Sequence, residues 1–410
     1  MDLDPNLREL LDLVVRWVHL IAGIMWVGNS MLFNWLDRNL VKPDKPSMDG
    51  TPPEMLEGEI WMVHSGGFYQ IEKKQLAPSQ MPKMLHWFKW QSYTTWMTGF
   101  SLLVLVYYVG GSGAFLVDPN VSKITASQGT MIGLGTLAGG FLFYDLLWRS
   151  PLVKKPTVAI FVCFAALAGI VYALTHLLSG RAAYIHVGAL MGTIMAGNVF
   201  FHIVPSQREL VAATLSGSKQ DMKLGKHAKE RSIHNNYMTF PVLFTMLSNH
   251  FPSTYGNSIN WAVLAVAFIA SAGVRHWLNI RFTFNRWLPA LAATMGLGIG
   301  LLYFLIARTP AGVAVAPMDT GEKVSFTTVK IVIAQRCQPC HSQAPTDKEI
   351  KTAPSGITFD TTENIKLYAE RIKARAVISK TMPLANRTGM SQDERDLLAR
   401  WFYQGAHTVD

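Results

Sequence analysis

Cys337, Cys340 and His341 stand in the run Cys337-Gln-Pro-Cys340-His341. Two thiols one helical turn apart can add to the two vinyl groups of one porphyrin, and the next histidine then lies under the iron as axial ligand. A zinc knuckle would want a second pair of ligands, and no other cysteine follows residue 323. A redox dithiol would want a βαβ setting, which the local pattern lacks. The motif therefore predicts one covalent haem c, held through Cys337 and Cys340. Met382 in Thr381-Met382-Pro383 is the expected sixth ligand beside His341, because Pro383 favours a loop there. Met390 is the competitor. His/Met ligation raises the potential and suits an electron acceptor.

The second chemical signal is histidine inside apolar runs, where ionisable groups are functional candidates by default. His19, His176, His186 and His250 fall toward one membrane face, and His202, His234 and His276 toward the other. His186 and His202 lie about 24 Å apart if on one helix. Two histidine layers suit b-type haem, or one haem plus a substrate site; interfacial or hydrogen-bonded histidine is the plain alternative. His19, His186 and His250 are the lead haem-ligand candidates. His19, His202, His234, His250 and His276 are the catalytic candidates, since a neutral imidazole can take a proton during an oxidation. Arg16, one turn before His19, together with Asn198, Asn235 and Asn236, could bind a planar, anionic, acceptor-rich substrate. Asp145 and Arg275 read as ordinary loop-end or snorkelling charges.

These groups need elements to position them. The chain has 410 residues, half of them hydrophobic and only 16% charged, a balance that points to lipid as solvent. A span takes roughly 20 apolar residues. Leu11–Trp35, Trp90–Val109, Gly129–Trp148, Ala159–Leu178, Ala182–Val204, Ile259–Ile280 and Leu288–Ala307 qualify, and the shorter Tyr237–His250 is counted with them. The expectation is an all-α chain: about eight transmembrane helices over 1–310, a linker at 311–322, and a small all-α cytochrome c domain over 323–410. In that domain Val329–Gln335 is an apolar helix, and Ser391 to Glu394 is a capping box opening another that ends at Gly405.

The net charge of +10 forms no stripe, which argues against nucleic acid. The basic residues alternate by loop instead. Arg38, Lys42, Lys45, Lys73, Lys74 and Lys83 follow the first run. Arg149, Lys154 and Lys155 follow the third, and Arg208, Lys219, Lys223, Lys226, Lys229 and Arg231 the fifth. Arg281 and Arg286 follow the seventh. Such loops stay cytoplasmic, so both termini are expected in the periplasm, where haem c is attached. The first run lacks a basic leader and reads as an uncleaved span. Cys163 reads as a small buried hydrophobe.

Three stretches carry a family resemblance: Arg16 to Gly28 (RWVHLIAGIMWVG), Ala196 to Arg208 (AGNVFFHIVPSQR), and His234 to Phe244 (HNNYMTFPVLF) continuing to His250. With the haem motif they resemble the bacterial integral-membrane urate oxidases (urate hydroxylases) over nearly the whole chain. The resemblance implies an inner-membrane enzyme that oxidises urate to 5-hydroxyisourate. Electrons would leave through the c-haem to a soluble cytochrome c or terminal oxidase, without hydrogen peroxide. An additional b-type haem in the membrane domain is a further expectation. The first marker alone also fits small b-haem proteins. A membrane-anchored electron carrier or respiratory-complex subunit needs one span rather than eight. A transporter with a redox-sensing tail usually shows paired halves, and none is seen.

One haem accepts one electron at a time, whereas this oxidation releases two. A urate site on the cytoplasmic side would also lie about 30 Å from a periplasmic haem. The expectation is therefore a periplasmic-side site, or an intervening centre held by the histidines. Haem staining on denaturing gels should be present in the native chain and lost in Cys337→Ala and Cys340→Ala; stain that survives both changes refutes covalent attachment there.

Overall fold

The computed structural model describes residues 4–47, 50–109, 113–219, 221–307 and 323–410; the expected linker at 311–322 lies outside them. The first helix, α1 (Pro5–Asn39), starts where the Asp4 carboxylate accepts from the amides of Asn6 and Leu7, with proline in its first turn. Next come α2 (Lys89–Leu103), widened by a π turn over Val104–Tyr108, and α3 (Ala126–Arg149), opened by a Thr125/Gln128 capping box. The helix α4 covers Pro156–Leu177. A long element follows: α5 (Gly180–Asn198), a π turn (Val199–Ile203) and α6 (Val204–Ser216), ended by Gly217 at φ +66°. Then come α7 (Met222–Ser248), the single turn α8 (Pro252–Tyr255), α9 (Asn260–Ile280) and α10 (Trp287–Ala307).

Six of these helices, over 6–39, 126–149, 156–177, 180–216, 260–280 and 287–307, are long and apolar enough to cross a membrane. The expected runs at 90–109 and 237–250 do not reach that standard. The first gives only 15 regular residues before its π turn. The second is the apolar half of α7, whose first half carries Lys223, Lys226, Lys229 and Arg231.

The middle of the bundle is α5. Within its most apolar window 61% of residues are buried, against 6% for α1 and for α10, so the outer helices present apolar faces outward. Close approach is what buries α5. At Gly188 a Cβ would lie 2.1 Å from the Thr245 hydroxyl, so only glycine lets α7 come this near. Tyr184, His186, Val187 and Leu190 on α5 are likewise buried.

One element departs from the all-α expectation. Between α1 and α2, β1 (Leu56–His64) pairs antiparallel with β2 (Gly67–Lys74), with Val63 opposite Phe68 and Trp61 opposite Gln70. The turn residues Ser65 and Gly66 both have positive φ, the geometry that matches strand twist in a two-residue hairpin. Among the described residues the chain is therefore predominantly helical, with one hairpin.

Residues 323–410 form a helical module with its own core. It comprises α11 (Phe326–Arg336), α12 (Thr362–Leu367), α13 (Ala369–Ile372) and α14 (Gln392–Tyr403). Val329, Ile333, Leu398 and Trp401 are buried together. The expected Ser391/Glu394 capping box is formed, and Arg336 Nη2 reaches Glu394 at 3.0 Å. Burial disfavours the Glu394 carboxylate, but the Arg336 guanidinium and the Ser391 amide outweigh it and hold its pKa below the usual range. A depressed carboxylate stabilises fully above its unfolded pKa and loses that contribution as pH falls through the folded one. Glu394→Gln should cost about 1–2 kcal/mol at neutral pH, the value of a cap plus a charged hydrogen bond. Limited proteolysis of the C-terminal module should show the difference between mutant and native chain closing as pH drops below about 4; equal resistance at neutral pH contradicts it.

Candidate functional site

The C-terminal end of α3, the π turn after α5 and the first half of α7 meet around one polar cluster. His227, Arg231 and His234 are four and three residues apart, which puts them on one face of α7. That face meets Asp145. The Asp145 Oδ1 accepts from His202 Nε2 at 2.6 Å and from Arg231 Nη2 at 3.2 Å, and its Oδ2 accepts from Arg149 Nε at 2.8 Å. His202 Nδ1 is 3.2 Å from His227 Nε2. With Nε2 of His202 donating to Asp145, Nδ1 must be the acceptor and His227 the donor. The result is a directed chain from His227 through His202 to Asp145.

Beside it stands Tyr144. Asn198 Nδ2 donates to its hydroxyl at 3.0 Å, so the hydroxyl proton goes to His234 Nδ1, 2.7 Å away. Asn198 Nδ2 also donates to Asn235 Oδ1 at 2.9 Å, and Asn235 Nδ2 donates to the Met195 carbonyl at 2.9 Å. The Arg231 guanidinium lies over the Tyr144 ring, 5.0 Å from its centroid, and Trp148 packs 4.2 Å from the His234 ring.

Three buried atoms of this cluster have no hydrogen-bond partner: Arg231 Nε, Arg231 Nη1 and Asn198 Oδ1. Arg231 is 1% exposed and Asn198 fully buried. Buried donors and acceptors are rarely left unpaired, because each costs about 1–3 kcal/mol. Two donors and one acceptor around Tyr144 are complementary to a ligand that offers acceptors and a donor in return.

His202, His234, Asn198 and Asn235 thus share one cluster. Asn236 points to the other side of α7, where its Oδ1 accepts from Arg275 Nε and Asn279 Nδ2, and His276 bonds Tyr237 nearby. The other histidines do not gather. His19 Nδ1 is bound to the Thr95 carbonyl and Thr98 hydroxyl. His186 has both ring nitrogens engaged, Nδ1 with the Ala182 carbonyl and Nε2 with the Tyr108 hydroxyl. His176 and His250 are exposed, and Arg16 pairs with Asp12 at 2.5 Å on an exposed face. Among the described residues no three His, Cys, Asp or Glu side chains group as a metal site.

Arg231, Asp145, Tyr144 and His227 escape a reading by apolar run. Arg231 is a buried helix residue rather than a loop charge, and Asp145 is a buried counterion rather than a loop-end charge. The signal available was the His227/Arg231/His234 spacing, which is one helix face.

In the C-terminal module, the His341 amide bonds the Cys337 carbonyl at 2.9 Å, closing one turn across the motif. His341 Nδ1 bonds the Ile357 carbonyl at 3.0 Å, which leaves Nε2 free. Burial lowers the His341 pKa, so the ring is neutral, as a ligand must be. Burial pushes the Cys337 thiol up to about 12. Met382 sits in a pinned loop: its amide bonds the Arg375 carbonyl, and its carbonyl accepts from Arg395 at 2.8 Å. Met390 is instead 3% exposed within the module's apolar core. This donor set fits a haem c held by Cys337, Cys340, His341 and Met382.

Removing Asp145 strands Arg231 among apolar neighbours. Asp145→Ala should lose about 3–5 kcal/mol, as expected when one partner of a buried pair is removed. Asp145→Asn with Arg231→Met should recover most of that. Thermal denaturation in detergent measures both; an Asp145→Ala midpoint equal to that of the native chain would show that the cluster is not coupled.

A family model described as urate oxidase N-terminal matches residues 5–306. No curated protein and no solved structure matches the chain.

Proposed function

The chain belongs to the urate oxidase N-terminal family, and we propose that it oxidises urate at the Arg231 cluster and passes the electrons to a c-haem in its C-terminal module. The observation that carries this reading is the set of buried, unpartnered atoms on Arg231 and Asn198. Urate offers carbonyl oxygens and ring N–H groups along the same edges. The Arg231 fork suits an anionic acceptor edge, and the Asn198 carbonyl suits an adjacent N–H. The family match supports urate chemistry, and the unpartnered buried atoms support this cluster as its site.

Urate monoanion and water give 5-hydroxyisourate, one proton and two electrons; the new C–O bond takes its oxygen from water. The His227–His202–Asp145 chain can receive the proton. The released proton is taken up at His227 Nδ1 while His227 Nε2 passes its own to His202 Nδ1, which makes an imidazolium that Asp145 stabilises at 2.6 Å. The electrons leave singly, because one haem iron accepts one. When bound, the haem supplies that one-electron acceptor, and an external cytochrome c or terminal oxidase would drain it.

We place this chemistry in the bacterial inner membrane, with the Arg231 end cytoplasmic and both termini periplasmic. The support is the Lys/Arg asymmetry, which alternates by loop when α2 with its π turn and the apolar half of α7 cross together with the six long helices. Asn198 lies about 27 Å along α5 from Gly180, at 1.5 Å per residue. A Cβ on Gly180 would lie 2.0 Å from the Tyr255 carbonyl. One on the neighbouring Gly256 would meet Thr381 and Ser379, beside Met382. Electrons crossing that length need an intermediate carrier. A b-type haem with His19 as ligand remains our proposal for it, because His19 keeps Nε2 free of its Thr95 and Thr98 bonds. His186, with both nitrogens engaged, does not fit that role, and no step is assigned to it.

Anaerobic urate should reduce the haem of purified protein. Arg231→Gln should slow that reduction about 100-fold or more, the usual cost of one preorganised charge donor, with haem content unchanged. Native rates in both Arg231→Gln and Asn198→Ala would rule out this site, and no reduction in the native chain would rule out the urate reading.

A further inference from the structure

Arg275 is a buried cation without an acid. It sits on α9, 5% exposed. Its Nε donates to Asn236 Oδ1 at 3.0 Å, and its guanidinium lies 5.4 Å from the Phe240 ring. Asn236 Oδ1 is shared with Asn279 Nδ2 at 2.6 Å. Arg275 Nη2 is buried with no partner. No carboxylate pairs with Arg275 among the described residues, and a second cation, Arg281, follows six positions later at the end of α9. Arg231 offers the contrast: equally buried, it has Asp145.

A buried guanidinium without a counter-charge is expensive. The missing partner must be negative. A fork of N–H donors with an unpartnered Nη2, and a second arginine at the end of the same helix, matches a tetrahedral oxyanion. The surroundings match the edge of a bilayer. Trp277 Nε1 bonds Thr294 on α10 at 2.8 Å, Trp277 stacks on Phe284, and Phe282 and Phe284 are exposed beside Arg281 and Arg286. Aromatic and basic residues together at a helix end are the setting in which anionic headgroups bind.

We propose that the α7/α9 seam holds a phosphate-type oxyanion on Arg275, supported by Arg281, as a binding site separate from the Arg231 cluster. The phosphate comes from an anionic lipid headgroup or from free phosphate, and the reading stands independently of urate chemistry.

The test uses the full-length protein, delipidated in uncharged detergent, with thermal denaturation as readout. The probes are phosphatidylglycerol, phosphatidylcholine, inorganic phosphate and urate. Phosphatidylglycerol or inorganic phosphate should raise the midpoint, and phosphatidylcholine should not. A shift with phosphatidylglycerol alone identifies the lipid as source, and a shift with inorganic phosphate identifies the free ion. Arg275→Gln, which keeps a donor for Asn236, should lose the shift. Arg275→Lys and Arg281→Gln should each respond with about tenfold weaker apparent affinity, or roughly 1.4 kcal/mol. Two results overturn the proposal: no shift with either phosphate source, or an unchanged shift in Arg275→Gln and Arg275→Lys. A shift that depends on Arg275 but arises only with urate also overturns it, because Arg275 would then belong to the urate site.

Discussion

Asp145 is the carboxylate on which the interior of the bundle depends. Arg149, Arg231 and His202 converge on its two oxygens. Arg231 and His202 would be costly to bury without it, and Asp145 would be costly without them, whereas Arg149 reaches it from an exposed position. The attraction therefore ties α3, α7 and the turn after α5 together at one point. It also fixes the ring of His202, which fixes His227 in turn. Positioning and stability here come from one set of bonds.

The neighbouring helices are built so that this convergence is reachable. The glycine at 188 lets α5 and α7 close on each other. A π turn at Val199–Ile203 carries His202 to Asp145 immediately after Asn198 has bonded Tyr144. Such turns insert an extra residue into a helix and are often found where a side chain must be re-aimed. A second one at Val104–Tyr108 carries the Tyr108 hydroxyl that closes on His186. Both ring nitrogens of His186 are engaged, so that side chain is structural, whereas Arg231 keeps unspent donors.

How far the sequence speaks depends on whether a feature is local. Helix caps at Asp4, Thr125, Ser179 and Ser391 are formed by residues a few positions apart; the Ser391 cap was legible for that reason, as was the Cys337–His341 turn. The hairpin was also local, but its Ser65-Gly66 turn sits in a segment that reads as a charged loop. Arg231 was hidden differently. It follows Lys223, Lys226 and Lys229, so its charge counted with theirs, although the three lysines and Arg231 share a helix. What distinguishes Arg231 is Asp145, 86 positions earlier, and no local pattern announces a partner at that distance. Asn198 and Asn235 were legible as polar marks in apolar text; that they bond each other was not.

We propose a location for urate, between α3, α5 and α7 at Arg231. Amide hydrogen exchange with and without urate measures that directly. The account predicts added protection in 142–149, 195–206 and 227–236, with little change at 180–187 or 250–258. Protection confined to 180–187 and 250–258 would contradict it, by moving the site to the opposite end of α5.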